Sequence, residues 1–439
     1  MRDGGRLSAA IAVLSDIEGR HRPARLALKA WGADARYAGA KDRAFVSGLV
    51  LGVLRRRRSL AWRIGDDTDR AAALAALRFV WDWPPDRVEA AAADAPHGPG
   101  SLTDAERAGL SAPKPLEGAP HAVRGDYPDW LDPHMARAFD DHRAEEGEAL
   151  AMRAPIDLRV NTLKSDAARA LKALAPFDPE PVEILPTALR IAAPAASERA
   201  AAVESAPEYE KGWFEVQDLG SQIAAACAGD IAGKQVLDFC AGGGGKTLAL
   251  AAAMGNTGQL YAYDADARRL TDTVRRAQRA GVRNLQVRSP IHPDVLKGLE
   301  GRMDLVFADA PCTGSGTWRR HPDAKWRLTA NQLARRIAEQ DAVLAGAAPF
   351  VKAGGRLIFV TCSLFAEENE DRVAAFLAQT PHFSVVPAAG PADAFLTPQG
   401  FLRLTPLTAG ADGFFVAVLE RKSFSHREKE GPAPSGVGG

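Results

Sequence analysis

Cysteine is scarce in this 439-residue chain: there are four, Cys227, Cys240, Cys312 and Cys362, and no two share a Cys-x-x-Cys spacing. That excludes a disulfide scaffold and argues against a structural zinc site, so reduced thiols are expected. Long apolar runs are missing too, with none near the roughly 18 residues a membrane helix needs. The opening Met1-Arg2-Asp3-Gly4-Gly5 lacks the basic-then-apolar layout of a signal peptide, and a cytoplasmic location is the expectation. Nor is there a net charge of either sign, because 55 basic residues balance 55 acidic ones. Bulk charge therefore argues neither for nor against a polyanionic partner. The length exceeds what one ordinary core supports and implies two to three domains.

Charge is present in patches. Residues 1–64 hold 14 Lys/Arg against 5 Asp/Glu, a local excess of nine positive charges that includes the run Arg55-Arg56-Arg57-Arg58. Such a cluster is a candidate phosphate-binding footprint, although a charge run is often only a solvated helix face. Through about residue 95, Ala, Leu and Val recur at helical spacing, most clearly from Lys41 to Leu54. From His97 to Asp126 the chain is rich in Pro, Gly and Ala without periodicity, which reads as a linker or a long mobile loop. Next come a strand from Ile156 to Asn161, a helix from Asp166 to Leu174, and strands at Val182–Leu185 and Ala188–Ile191, a small α+β unit. From near Trp213, strands at Val236–Phe239, Leu260–Tyr263, Leu285–Val287, Leu305–Ala308 and Leu357–Val360 alternate with helices, the pattern of a parallel sheet covered on both faces. Phe401–Leu404 and Gly413–Leu419 read as closing strands. Beyond Lys422 the composition is that of a disordered tail.

Two of the apolar runs end in cysteine, in Asp309-Ala310-Pro311-Cys312 and in Thr361-Cys362-Ser363. Ligands of open α/β sheets bind beyond the carboxyl ends of the strands, so both sulfurs are expected to face one crevice and to suggest covalent chemistry. A lone cysteine is more often a small buried hydrophobe, but the pair is harder to dismiss. The first strand of the large unit runs into Asp238-Phe239-Cys240-Ala241-Gly242-Gly243-Gly244-Gly245-Lys246-Thr247 and then a helix. A nucleotide-triphosphate loop needs glycine where Cys240 stands, and a dinucleotide fingerprint needs glycine or alanine where Thr247 or Leu248 stands. A loop for S-adenosylmethionine remains, and Asp264, at the end of the next strand, is suited to a pair of ribose hydroxyls. A helix cap is its structural alternative.

Taken together, Asp-x-Cys-Ala-x-x-Gly-Gly-Lys-Thr at 238–247, Asp-Ala-Pro-Cys-Thr-Gly-x-Gly at 309–316, Pro-Asp-Ala-Lys-Trp-Arg at 322–327, Thr-Cys-Ser at 361–363 and Asp-Gly-Phe-Phe at 412–415 resemble the RsmB/NOP/Sun RNA cytosine-5 methyltransferases. Arg159-Val160-Asn161-Thr162 and Val216-Gln217-Asp218 are similar to that family's smaller RNA-binding segment. Lys41-Asp42-Arg43 and Leu51-Gly52-Val53-Leu54-Arg55 resemble the NusB-like domain of its RsmB branch. The resemblance implies an α/β fold: an all-α NusB-like RNA-binding domain at 1–125 ending in the linker, a small α+β RNA-binding segment at 126–212, a Rossmann-like methyltransferase domain at 213–422 and a tail at 423–439. Two departures stand out. Gly243 replaces the family's usual proline, which should loosen the loop, and the acid usual after the third strand is missing from Arg288-Ser289-Pro290-Ile291-His292-Pro293-Asp294.

The cofactor implied is S-adenosyl-L-methionine, held by Cys240, Ala241, Gly242, Gly243, Gly244, Gly245, Lys246, Asp264 and Asp309. The partner implied is RNA, 16S ribosomal RNA first and transfer RNA second, with no DNA, membrane or metal. Spacing alone leaves open which cysteine attacks the base. By resemblance Cys362 is the nucleophile and Cys312 assists product release, with Asp309 beside the base. Trp318, Arg319, Arg320, His321, Lys325, Trp326 and Arg327 are expected to hold the displaced RNA by stacking and phosphate contacts. A non-catalytic assembly factor on the same fold is the competing class, resting only on the two departures.

Overall fold

Apolar residues three and four apart roll the first ninety residues into five helices, Asp3–Arg20, Ala24–Asp34, Ala40–Ile64, Asp69–Phe79 and Pro85–Ala92. The computed structural model describes residues 1–423 apart from 197, 199, 293, 389 and 392, so the tail expected at 423–439 lies, from residue 424, outside the described residues. Among the described residues no helix is long and apolar enough to cross a membrane. Helix Asp69–Phe79 sits at the centre of the helical unit. Ala71 to Leu77 are all fully buried, because small alanine side chains let neighbours close around every face. Leu7, Leu14, Leu49, Val53 and Val88 complete that core.

The stretch expected to be a linker or mobile loop is instead packed. A capping box of Thr103 and Glu106 starts a helix at Asp104–Ser111, and Leu102 and Leu110 are buried in the same core. Arg70 fastens it through Glu106 (2.7 Å) and the carbonyls of Pro99, Gly100 and Ser101. The eight-residue helix was too short, amid Pro and Gly, to show a period.

Helix Ala40–Ile64 is kinked at Arg56, whose φ of −124° and ψ of 26° leave the helical region. The cause is side-chain insertion into the helical hydrogen-bond ladder. Ser59 N–H turns to the Asp126 carboxylate (2.8 Å) instead of the Arg55 carbonyl. That carbonyl accepts Lys325 Nζ (2.8 Å), and the neighbouring Leu54 carbonyl accepts the Trp326 indole (2.6 Å). Both partners lie about 270 residues further along the chain, so the kink is the junction between the helical unit and the rest.

Two sheets follow. β1 (Ile156–Val160), β2 (Glu180–Pro181), β3 (Ala188–Ile191) and β4 (Phe214–Val216) form an antiparallel sheet in the order β2-β3-β1-β4. The strand expected at Val182–Leu185 is a turn closed by Leu185 N–H on the Val182 carbonyl; pairing with β3 falls two residues earlier. β4 escaped notice because only three residues pair.

The second sheet comprises β5 (Gln235–Asp238), β6 (Gln259–Tyr263), β7 (Leu285–Arg288), β8 (Met303–Asp309), β9 (Val351–Thr361), β10 (Phe383–Val386), β11 (Leu402–Leu404) and β12 (Phe414–Arg421). Its order is β10-β12-β9-β8-β5-β6-β7 with β11 beside β12; β7 to β9 run parallel and β12 is antiparallel to β9. Leu305–Ala308 and Leu357–Val360 are fully buried, as continuous apolar strands covered on both faces must be. Chain order reverses between β5 and β8. That switch opens a crevice beyond their carboxyl ends, at Asp238 and Asp309.

Candidate active site

The loop after β5 is built on glycines at the positions where backbone geometry demands them. Gly242 (φ +53°) and Gly244 (φ +84°) are left-handed, and a Cβ on Gly244 would meet the Thr273 side chain at 3.0 Å. Asp264 ties this loop to the end of β6: its Oδ2 accepts Gly242 N–H at 2.9 Å, its Oδ1 accepts Asp266 N–H, and Arg269 lies 3.2 Å away. The loosening expected from Gly243 is countered by Arg276, which donates to the Gly243 carbonyl at 2.5 Å and also to Glu215.

The donor set here fits an adenosyl amino acid. Asp238 is fully buried, with Oδ2 taken by the Thr247 hydroxyl (2.6 Å) and Oδ1 without a partner. Burial pushes its pKa up to about 7. A ligand ammonium group would relieve that carboxylate, and the helix starting at Gly245 offers its N-terminal N–H groups nearby. Beyond β6 and β7, Tyr263, Pro290 and Asp294 line a cavity of about 420 Å³. Asp294 thus stands in the region where the acid after the third strand is missing; Ser289 does not line that cavity.

Because β8 and β9 are neighbours, the two cysteines at their ends meet. Cys312 Sγ and Cys362 Sγ are 3.4 Å apart and both are partly exposed. The hydrogen bond shared with Cys362, aided by burial, pushes the Cys312 thiol well above its ordinary pKa. Beside them Lys246 Nζ bonds Asp309 Oδ2 at 2.7 Å. Burial opposes the lysine charge, but the Asp309 carboxylate outweighs it and raises the Lys246 pKa. The other two thiols are of a different kind: burial drives Cys227 up to about 12 and Cys240, in the glycine loop, well above its ordinary value.

Glu368 went unnoticed in the sequence, yet it joins the two cysteine loops. It is fully buried and accepts hydrogen bonds from Thr313 N–H (2.9 Å), the Thr313 hydroxyl (2.5 Å), the Gln340 amide (2.9 Å) and the Ser363 hydroxyl. Thr313 and Ser363 directly follow Cys312 and Cys362, so one carboxylate fixes both thiols. The available signal was an acidic Glu367-Glu368-Asn369-Glu370 directly after an apolar stretch, a costly placement unless donors await it. Glu368→Ala would remove the acceptor of four donors, two of them buried, each worth about 1–3 kcal/mol when unmet. Urea denaturation should show a loss of at least ~2 kcal/mol, and an unchanged midpoint would count against this role.

Three of the seven residues expected to grip displaced RNA are buried and three more are half-buried. Trp318, Arg319 and Lys325 are at most 5% exposed. Arg319 and Arg320 pair with Asp412 (2.9 and 2.6 Å), and Arg320 also with Asp218 (2.7 Å). Lys325 and Trp326 close the junction at the helix kink, and His321 alone of the seven is exposed. The expectation failed because Trp, Lys and Arg suit a desolvated junction with partners as well as an RNA surface. Arg327 does open to solvent: with Arg335, Arg336 and Gln332 it rims a cavity of about 170 Å³ that reaches Cys312.

A parallel sheet with an antiparallel β12, a glycine loop after its first strand and an acid ending the second defines an S-adenosylmethionine-dependent methyltransferase. Residues 230–420 match the family model for 16S rRNA methyltransferase RsmB/F. The chain is 31% identical over 308 residues to a probable ribosomal RNA small subunit methyltransferase B of Synechocystis, covering 67% of each. The crystal structure of PH0851 overlays with a TM-score of 0.70 at 24% identity, over 96% of this chain and 99% of that one. NSun6 from Pyrococcus horikoshii, solved with SFG, gives a TM-score of 0.59 at 20% identity over 67% and 98%. The chain belongs to the RsmB/F methyltransferase family, and its cofactor is S-adenosyl-L-methionine.

Proposed function

We propose that the protein methylates carbon 5 of a cytidine in small-subunit, 16S ribosomal RNA through a covalent cysteine adduct. The observation that carries this is the pair of thiols 3.4 Å apart, on adjacent strand ends, beside the Lys246–Asp309 pair. Carbon 5 of cytosine is too weak a nucleophile to take a methyl group unaided. Addition of the Cys362 thiolate to carbon 6 makes the ring an enamine and carbon 5 nucleophilic. S-adenosylmethionine supplies an electrophilic methyl group. Asp309 keeps Oδ1 clear of any partner among the described residues and can accept from the base's exocyclic amine while Lys246 holds Oδ2. Loss of the carbon 5 proton then returns the electron pair to the ring and expels the Cys362 thiolate. Cys312 is suited to take that proton as a thiolate base, because the Cys362 hydrogen bond that raises its pKa is lost while Cys362 is bound to carbon 6.

The cytosine must leave its stack to reach the thiols. Arg327, Arg335 and Arg336, at the opening beside Cys312, are suited to the flanking phosphates. Incubating small-subunit rRNA with the protein and methyl-labelled S-adenosylmethionine, then resolving the nucleosides by mass spectrometry, should yield 5-methylcytidine. Label in ribose, in another base, or only in transfer RNA would overturn the assignment.

A further inference from the structure

The arginine run at 55–58 does not act as one footprint; the fold sorts it. Arg57 pairs with Asp69 and Glu18 (both 2.9 Å), and Arg58 with Asp129 (2.6 Å). Arg55 and Arg56 form no ion pair among the described residues, and the same holds for Arg153, which comes from the chain just before β1. All three line one cleft of about 330 Å³ between helix Ala40–Ile64, Trp81 and the segment around Met152 and Pro194. Gly48 and Gly52, one turn apart on that helix, leave the wall flat: a Cβ at Gly48 would come within 3.2 Å of the Trp81 ring. Met152 is half exposed at the cleft, and Arg56 touches its sulfur at 3.2 Å.

Three guanidinium groups gathered on one cleft without a contact ion pair repel one another. Arg153 donates to the carbonyls of Ala195 and Glu198, and the Glu198 carboxylate, which accepts Ala195 N–H, favours its charge without forming an ion pair with it. Burial and the charges of Arg153 and Arg56 lower the Arg55 pKa to about 10. Most other arginines of the described residues pair with a carboxylate, whereas these three, gathered on one cleft, do not, and an anion from outside is the partner that fits them. The flat aromatic and thioether wall beside the charges adds a surface on which a base can lie. The cleft also abuts the chemistry: Arg55 Nη2 donates to the Arg319 carbonyl (3.1 Å), in the loop that begins at Cys312.

We infer that this cleft is a second RNA-binding site, taking a single-stranded segment with phosphates on Arg55, Arg56 and Arg153 and a base against Trp81. It rests on the reading of RNA as substrate and adds where the strand is anchored away from the thiols. Held there, the RNA is fixed in register relative to the crevice by two separate units of the protein.

The experiment uses the full chain carrying Arg56→Gln and Arg153→Gln; Arg55 is spared because it braces the Arg319 carbonyl. Fluorescence anisotropy with a labelled small-subunit rRNA fragment is recorded across a potassium chloride series. A control variant, Arg25→Gln with Arg36→Gln, removes the same charge from exposed, unpaired positions on helix Ala24–Asp34 and just beyond it. Each lost phosphate contact lowers the slope of log affinity against log salt by about 0.7 on single strands, so the cleft variant should lose roughly 1.4. Its affinity should fall at least ~10-fold at fixed salt, with S-adenosylmethionine binding and the melting temperature unchanged. An equal slope loss in the control, or no loss in the cleft variant while the native protein binds RNA, overturns the cleft. A native protein with no salt-dependent RNA affinity overturns the substrate reading itself.

Discussion

Cys362→Ala is expected to abolish methyl transfer and to give no covalent RNA complex, whereas Cys312→Ala should remain attached to its RNA through denaturing electrophoresis. The two sulfurs share one crevice and a 3.4 Å contact, but the proposed chemistry uses them at different moments. Without Cys362 nothing adds to carbon 6, carbon 5 stays unreactive, and both the adduct and the product disappear. Without Cys312 the addition and the methylation still proceed, and the step that fails is removal of the carbon 5 proton. Turnover should drop by ~10²–10⁴, the usual worth of a positioned acid or base. The slow step would then trap the enzyme on RNA. Labelled RNA run on a denaturing gel with both variants reads the outcome directly. An adduct with Cys362→Ala and none with Cys312→Ala would reverse the two roles, and full turnover by both would end the covalent mechanism.

Lys325→Ala should weaken the whole molecule, by about 3–5 kcal/mol, as loss of one member of a buried charge set does. The lysine is 1% exposed, and its ammonium caps the Arg55 carbonyl freed by the helix kink. Asp126, on the other side of the kink through Ser59, would be left without its main opposing charge. The pH dependence has a defined sign. Burial lowers the Lys325 pKa to about 7, while an unfolded lysine titrates near 10.4. Between those values the unfolded chain binds the extra proton, so this group makes stability rise with pH across that window. Burial raises Asp126 to about 6, so its own contribution falls as pH rises from the ordinary carboxylate range toward that value, below the lysine's window. Urea midpoints from pH 7 to 9.5 should climb in the native protein and lose that climb in Lys325→Ala. A variant as stable as the native chain, with the same pH profile, would show that the junction does not depend on this lysine.

Much of the molecule was already written in its residue order. The parallel core was legible because its strands are buried on both faces and so form unbroken apolar runs, as in Leu305–Ala308 and Leu357–Val360. The cofactor loop was legible because only glycine tolerates the left-handed turns at 242 and 244, which makes the signal nearly independent of context. Segments whose structure comes from distant partners were not legible. Asp104–Ser111 is a helix held by a remote core, and 182–185 turns because β3 pairs with the residues just before it.

Local chemistry therefore determined which residues end strands, which turns need glycine, and that two thiols lie at strand ends. The tertiary structure decided that β8 and β9 are neighbours, so that the thiols touch, and that Glu368 receives donors from both of their loops. It also decided which charges face inward. Lys325 and Arg319 read the same in sequence as Arg56 and Arg153, but the first two are sealed against a carbonyl and a carboxylate while the others line a cleft with no ion pair among the described residues. The physical reason is that side-chain type sets what a charge can bind, whereas its desolvation and its partner depend on chain segments far away in sequence.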